Sequence, residues 1–452
     1  MRGVGAALFA ALTLSSACTY YNSIYNAQRR YLDAEGYRIA GADSLAAAAY
    51  RDVLLRAADG YRREPSGPWA PEALSLMGRS HLRLGDLRAA RAALEQVVPD
   101  TGRIASEARV YLGAVLVRSG DATTGLALLD RALGEDTGGP SRAEGHLWRA
   151  RVLLDRGDLG DGWRDLDRAA SHPSVAVDAG LEALRWAVEY DDSARVRGAV
   201  EQLRSEPAAA ERLDSILVLM GGWEARHGPA SGADVLGGEA PDWPRRAVAR
   251  MRLARAVMLR EAGDTATARV EVTGIARGVG ESAAESRVLL SRWHLGRAGE
   301  LLDIQMVRAI LIPASGDPEV DSLLTALSMV DALAGMGIEE PLAWFAAGEL
   351  ARDRLEAPEL ARGLFLAYAD GGGEDPWTPK ALLAALDVAR TPGDRAWIRG
   401  RLEGRAESPY VLAARGLPAP GLQEMEEELG RRLSGILVTV ERLVLAPPPD
   451  VD

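Results

Sequence analysis

Three Gly-Asp pairs, Gly85-Asp86, Gly120-Asp121 and Gly157-Asp158, recur at intervals of 35 and 37 residues, each between two stretches of helical hydrophobic spacing. Leu74, Met77, Gly78 and His81 precede the first pair, and Ala90, Leu94 and Val97 follow it, the small Ala90 standing where two helices must approach closely. Leu112-Gly113 and Leu116 precede the second, with Gly125, Leu129 and Ala132 after it; Ala150 and Leu153 precede the third, with Gly162, Leu166 and Ala169 after it. The layout returns around Ala256, Leu259, Gly263-Asp264, Ala268 and Val272, and again in Gly348, Ala361 and Phe365. Each block predicts two amphipathic helices joined by a tight turn. A helix pair of this size cannot bury its apolar face alone, so repetition at near-equal spacing confines the chain to stacked pairs with a shared core.

The pattern resembles the tetratricopeptide repeat (TPR), a unit of about 34 residues that carries W-x2-L-G-x2-Y and then A-x3-F. Leu74, Met77, Gly78, His81, Ala90 and Leu94 occupy those places here, with other residues where the family has aromatics. The resemblance implies an all-α fold, a right-handed helical solenoid of stacked helix pairs whose concave groove takes an extended peptide, a helix or a folded protein partner. A separate echo, P-W-x-P-x-A-L, stands at Pro68–Leu74 and Pro376–Leu382, 308 residues apart. Proline in a first helical turn costs no backbone hydrogen bond, so both copies predict a helix entry stapled by Trp69 or Trp377; a ligand-stacking role for either ring is the alternative.

Residues 174–236 and 281–335 keep helical spacing, as in Leu181, Leu184 and Val188 or Leu323, Leu327 and Val330, without the full signature. Gly237-Gly238-Glu239-Ala240-Pro241-Asp242-Trp243-Pro244 breaks helices and predicts a bend between sub-arrays. The expected layout is therefore a leader over 1–17, an N-terminal segment and first helix over 18–42, one array over 43–236, a second over 245–420, and a capping helix with a Pro-rich tail over 421–452. Gly371-Gly372-Gly373 reads as a loop between helices.

Composition removes several classes of function. The 452 residues hold 53 Lys plus Arg against 65 Asp plus Glu, a net charge of −12 that argues against nucleic acid as a partner. Lys380 is the single lysine, so a P-loop or a lysine nucleophile has no residue to use, and Lys380 reads as an exposed helix-start residue. The one cysteine excludes an internal disulfide or a cysteine-ligated metal. No two of His81, His146, His172, His227 and His294 stand four apart, and HExxH and G-x-S-x-G are absent. Asp191-Asp192 and Glu426-Glu427-Glu428 read as solvated helix faces, Gly278-Val279-Gly280 as an inter-helix turn, and His81 as a core residue. No catalytic residue, metal site or cofactor is expected.

The N-terminus supplies an address. Arg2 precedes an apolar run from Val4 to Leu14, too short to span a bilayer, and no run of about 18 apolar residues follows. Leu14-Ser15-Ser16-Ala17-Cys18 resembles the lipobox of bacterial lipoproteins, with Ser15 where leucine is usual. The resemblance implies that Cys18 carries a lipid and begins the mature chain; Thr19, in place of the aspartate that retains many lipoproteins at the inner membrane, points to the outer membrane. Just after it, 7 of the 11 tyrosines precede residue 62. Read as a helix, Tyr21, Tyr25, Gln28 and Leu32 form one stripe, which packs the first helix on the array or, with Tyr20, makes a partner-binding patch. Together these features resemble in plan the TPR lipoprotein of the outer-membrane β-barrel assembly machinery, a non-enzymatic protein-interaction scaffold; a SusD-like glycan-binding lipoprotein is the alternative.

Overall fold

A computed structural model describes residues 23–135, 137–371 and 375–445; Cys18, Tyr20 and Tyr21 lie outside them. Every described element is helical, and the chain divides into two compact units, Met1–Gly263 and Asp264–Asp452.

The first unit is a series of antiparallel pairs: α1 (Tyr25–Ile39) with α2 (Asp43–Arg63), α3 (Ala70–Leu84) with α4 (Leu87–Glu95), α5 (Arg103–Arg118) with α6 (Ala122–Gly134), and α7 (Gly139–Asp155) with α8 (Leu159–Ala170). It continues through α9 (Ala176–Glu189) and α10 (Ser193–Ser205), a 3-10 turn at Pro207–Arg212, α11 (Leu213–His227) and α12 (Pro229–Val235), and ends in α13 (Arg245–Glu261). The turns explain the pairing. Gly85, Gly120, Gly157 and Gly263 take φ of 82°, 90°, 84° and 93°, a left-handed backbone that stops the preceding helix at little cost only for glycine. The aspartate that follows restarts the chain: Asp86, Asp121 and Asp264 accept hydrogen bonds from the N–H of Ala89, Thr124 and Thr267.

The series has no gap over 174–236. Asp191 takes φ 61° and Asp192 caps α10 through the Arg195 N–H, so this acidic pair is a repeat turn and no mere solvated face. Gly228, at φ 82°, serves the same purpose before Pro229. The Gly237–Pro244 stretch lies within the first unit, where Ala240 and Trp243 are buried and the Trp243 indole N–H donates to the Glu206 carbonyl at 3.0 Å; the division between units falls later, after Gly263.

Packing within pairs depends on absent side chains. A Cβ on Gly78 would stand 2.4 Å from Leu94 Cγ, so the leucine of α4 fills the space that the glycine of α3 leaves. Gly113 receives Leu129 in the same way, and Gly125 brings its backbone so close to the Gly113 carbonyl that a Cβ would sit 2.9 Å from it.

The second unit comprises α14 (Thr265–Ala276), α15 (Glu281–Leu295), α16 (Leu301–Leu311), α17 (Pro318–Met336), α18 (Leu342–Asp353), α19 (Pro358–Gly371), α20 (Thr378–Val388), α21 (Pro392–Glu403), α22 (Pro409–Ala414) and α23 (Leu422–Leu445). One apolar core runs through it from Ala284 to Val440, centred on Phe345 with Phe365 and Tyr368 edge-on at 5.4 and 5.6 Å. α23 lies back across α17 and α18 and buries Leu429, Leu433 and Val440. The two P-W-x-P copies adopt one conformation: Trp69 and Trp377 are the N-cap residues of α3 and α20, at φ −98°, ψ −3° and φ −93°, ψ −3°. Lys380 is half-buried and pairs with Glu426, tying α20 to α23.

The glycine contacts yield a test. Gly78→Val drives two methyl groups into Leu94 and is expected to cost about 1–3 kcal/mol. Gly198→Ala, in α10 with nothing within 4 Å of the new methyl group, is expected to add about 0.5–1 kcal/mol. Urea unfolding followed by circular dichroism checks both; a Gly78→Val protein as stable as the parent contradicts the close approach of α3 and α4.

Candidate functional site

The first helix of each pair, α1, α3, α5, α7, α9 and α11, carries most of the long charged side chains that meet inside the first unit. Tyr31 of α1 and Tyr111 of α5 hold the Arg79 guanidinium of α3 between them, 4.3 and 4.7 Å from the ring centroids. A guanidinium is weakly hydrated and planar, so stacking between rings is a favourable way to keep it out of water.

One turn on, Arg83 donates to Glu35 of α1 at 3.0 Å and, with two nitrogens, to Glu144 of α7 at 3.0 and 2.9 Å. Tyr50 of α2 donates to Glu35 at 2.7 Å, Arg38 donates to it at 3.0 Å, and the Trp148 indole donates to Glu144 at 2.9 Å. Arg38 then reaches α9, donating to Asp178 and, at 2.9 Å, to the Ser174 carbonyl. Arg212, beyond α10, closes the contact by donating to Asp43 and to the Arg38 carbonyl, both at 3.2 Å. Gly41, at φ 72°, lies so near this end that a Cβ would meet Glu211 Cβ at 2.9 Å. The C-terminal end of α1 is thereby clasped to helices 140 residues further along.

The charges justify their burial through this mutual pairing. Burial pushes the Glu35 carboxyl up, but Arg83, Arg38 and the hydrogen bonds from Arg83 and Tyr50 outweigh it and hold Glu35 well below the usual carboxylate range. Glu144 is likewise pushed up by burial and pulled below its ordinary value by Arg83. Burial, then the Glu35 charge, raises the Tyr50 hydroxyl far above its usual value, so it remains a donor.

Beyond the clasp lies an open groove. Arg151, Asp178, Leu181, Glu182, Arg185, Asp214, Ser215, Val218 and Leu219, on α7, α9 and α11, line a groove of about 470 Å³. Glu182 accepts from Arg151 at 2.7 Å and Arg185 at 2.8 Å, while these guanidiniums lie over Trp148 and Trp186 at 4.2 and 4.3 Å. Val218 is 76% exposed in its wall. The result is a groove capable of binding a peptide or a helix, with apolar Leu181, Val218 and Leu219 beside paired charges.

The structure separates the residues singled out in the sequence. Tyr25 is partly exposed and Leu32 is exposed, whereas the rings that pack α1 and α2 together are Tyr31 and Tyr50, 5.8 Å apart. Gln28 hydrogen-bonds Glu72. Trp69 is half-buried against the core of the first two pairs. Trp377 is buried, with Arg432 over its ring and its indole N–H donating to the Met425 carbonyl at 3.1 Å, so it packs α20 on α23. His81 is half-buried, 3.6 Å from Asp86. His146 and Asp165 form a buried pair at 2.9 Å, with both Asp165 oxygens also held by Arg149, an ionic staple between α7 and α8. Among the described residues no group of His, Cys, Asp and Glu could hold a metal ion. Sequence reasoning passed over Glu35, Arg38, Arg83, Glu144 and Asp178, because nothing local distinguishes an inward charge from a solvated one when its partner is on a distant helix.

The clasp predicts a pH dependence. A carboxylate depressed in the folded state contributes stability above its unfolded pKa of about 4.3 and loses it as pH falls through the folded value. The first unit is therefore expected to lose stability progressively as pH drops below about 5. Glu35→Gln is expected to cost about 3 kcal/mol at neutral pH and to flatten that acid dependence, read from urea unfolding at pH 7 and pH 3. An unchanged pH profile contradicts the assignment.

Comparison with known proteins agrees with the repeat geometry where it speaks to it. The family model described as tetratricopeptide repeat matches residues 75–140 and 112–174, the span from α3 to the end of α8. No curated protein matches the chain. A solved structure described as "Circular tandem repeat protein with novel repeat topology and enhanced subunit contact surfaces" is 15% identical over 96% of this chain and 98% of its own, at a TM-score of 0.14. At that TM-score the assignment rests on the helix pairs themselves and the matched repeats: the chain is an all-helical, TPR-like repeat protein.

Proposed function

We propose that this protein is a lipid-anchored scaffold of a bacterial cell envelope, held at Cys18 in the outer membrane facing the periplasm and gathering a protein partner into the groove between α7, α9 and α11. The observation that carries the binding role is a contrast within the first unit. At α1 the chain's own ion network occupies the space between helices, whereas between α7, α9 and α11 a groove opens onto Leu181, Val218 and Leu219 among charged side chains. An amphipathic helix or extended segment with apolar anchors suits such a surface, because rigid walls cost little entropy to occupy. The anchor rests on Leu14–Cys18 and on the charged and apolar layout before it. No described helix is long and apolar enough to cross a membrane. Glycan binding has less support, since the groove lining contains no aromatic ring on which a sugar would stack.

Two variants divide the question. Val218→Glu places a charge on the apolar wall and is expected to weaken capture of the partner by about tenfold or more, whereas Val279→Glu, at a position 99% exposed in the second unit, leaves it unchanged. Affinity capture from detergent-solubilised envelope with both variants checks this; equal recovery from the two contradicts the groove. For the anchor, Cys18→Ser is expected to release the protein from the membrane fraction, and its retention there contradicts lipidation.

A further inference from the structure

The first helix pair has an outward face that no described element covers. On α1 Arg29 and Leu32 are turned away from buried Ala27, Tyr31 and Ala34, Leu32 being 64% exposed. On α2 the residues opposite buried Val53 and Ala57 are Arg51, Leu55 and Arg62, with Leu55 72% exposed. In a repeat array each pair shields its neighbour, and large apolar side chains left bare at an end need a partner or a polar replacement.

Two further observations say what that partner is. The start of α1 and the end of α2 lie side by side, with Ile24 buried against Gly60 and Ser23 donating to Asp59 at 3.4 Å. Ser23 stands five positions after Cys18, a span of at most about 18 Å when fully extended. A lipid on Cys18 therefore holds this end within reach of the headgroups. The charge also fits: residues 23–63 carry seven arginines against five carboxylates, a local excess of +2 in a chain of −12.

We propose that the outward face of the first helix pair, Arg29, Leu32, Leu55 and Arg62, docks on an anionic phospholipid surface and sets the orientation of the first unit on the membrane. The proposal rests on the reading of Cys18 as the lipid anchor. Arginine suits the interface because it keeps an apolar stem in the acyl boundary and a charged tip among the headgroups, while Leu32 and Leu55 enter the boundary itself. Orientation follows from the clasp. Arg38 bound to Asp178 and Ser174, with Arg212 bound to Asp43, fixes the far end of α1, so α1 cannot lie on the bilayer while the rest of the unit swings freely.

The test uses residues 18–452 with Cys18→Ser, which removes the anchor and touches no described contact. An environment-sensitive fluorophore is attached through Leu32→Cys in one sample and through Val279→Cys in another, and each is titrated with phosphatidylcholine vesicles with and without phosphatidylglycerol. The account expects a blue shift at position 32 that requires phosphatidylglycerol, disappears at high salt, and weakens by about tenfold or more with Arg29→Glu and Arg62→Glu together, with no shift at position 279. Absence of a response at 32, an equal response at 279, or lipid-independent dimerisation through this face in sedimentation overturns the proposal. The mass of the N-terminal peptide of the full chain recovered from cells separates the two claims. An acylated Cys18 without the vesicle response overturns the docking face and keeps the anchor; an unmodified Cys18 with the response overturns the anchor and keeps the face.

Discussion

Arg83 is shared between two carboxylates on different helices, Glu35 of α1 and Glu144 of α7, and the arrangement of the first unit follows from that sharing. A guanidinium withdrawn from water is expensive, and the expense is met only when each N–H finds a carboxylate in good geometry. Meeting it here requires α1, α3 and α7 to converge, which in turn brings Arg38 to Asp178 at the start of α9. The array therefore does not stand as an open row of pairs, because its first helix is bonded to its fifth pair. Such a pairing contributes less net stability than an apolar core would, but it leaves few alternatives for where α1 can lie, since any other position strands buried charge.

The repeat itself is held by a cheaper device. Left-handed glycines end the first helix of a pair, a capping aspartate begins the second, and a leucine of the second helix enters the space above a glycine of the first, as Leu94 does at Gly78 and Leu129 at Gly113. These devices are local, acting between helices adjacent in sequence, whereas the clasp joins segments of the first unit far apart in it. This division of labour leaves the open groove at α7, α9 and α11, beside the ion network.

How much of this the sequence discloses follows the same division. Turns at Gly85, Gly120, Gly157 and Gly263 are legible because glycine reports the left-handed backbone directly, and Asp86, Asp121 and Asp264 report the cap. The turn at Asp191-Asp192 is not, since a left-handed aspartate is identical in sequence to any surface acid; only the His227 ring paired with Asp191 and stacked on Trp223 at 3.7 Å reveals its surroundings. The phase of α1 was legible in period but not in face: Ile24, Ala27, Tyr31 and Ala34 turn inward, which leaves Tyr25 and Leu32 outside. The clasp was invisible, because Arg38 and Asp178 are separated by 140 residues and each resembles the solvated charge of an acidic, arginine-rich chain. Long-range ionic partners leave no periodic trace.

Amide hydrogen exchange tests the clasp most directly, because it reads the opening of one helix without unfolding the rest. With the clasp in place, the amides of Tyr31–Ile39 should be protected to about the same degree as those of the buried side of α2, and Asp178→Asn should lower that protection while leaving α5 unchanged. Exchange of Tyr31–Ile39 at the rate of an unstructured chain in the unaltered protein, or protection indifferent to Asp178, would contradict the account.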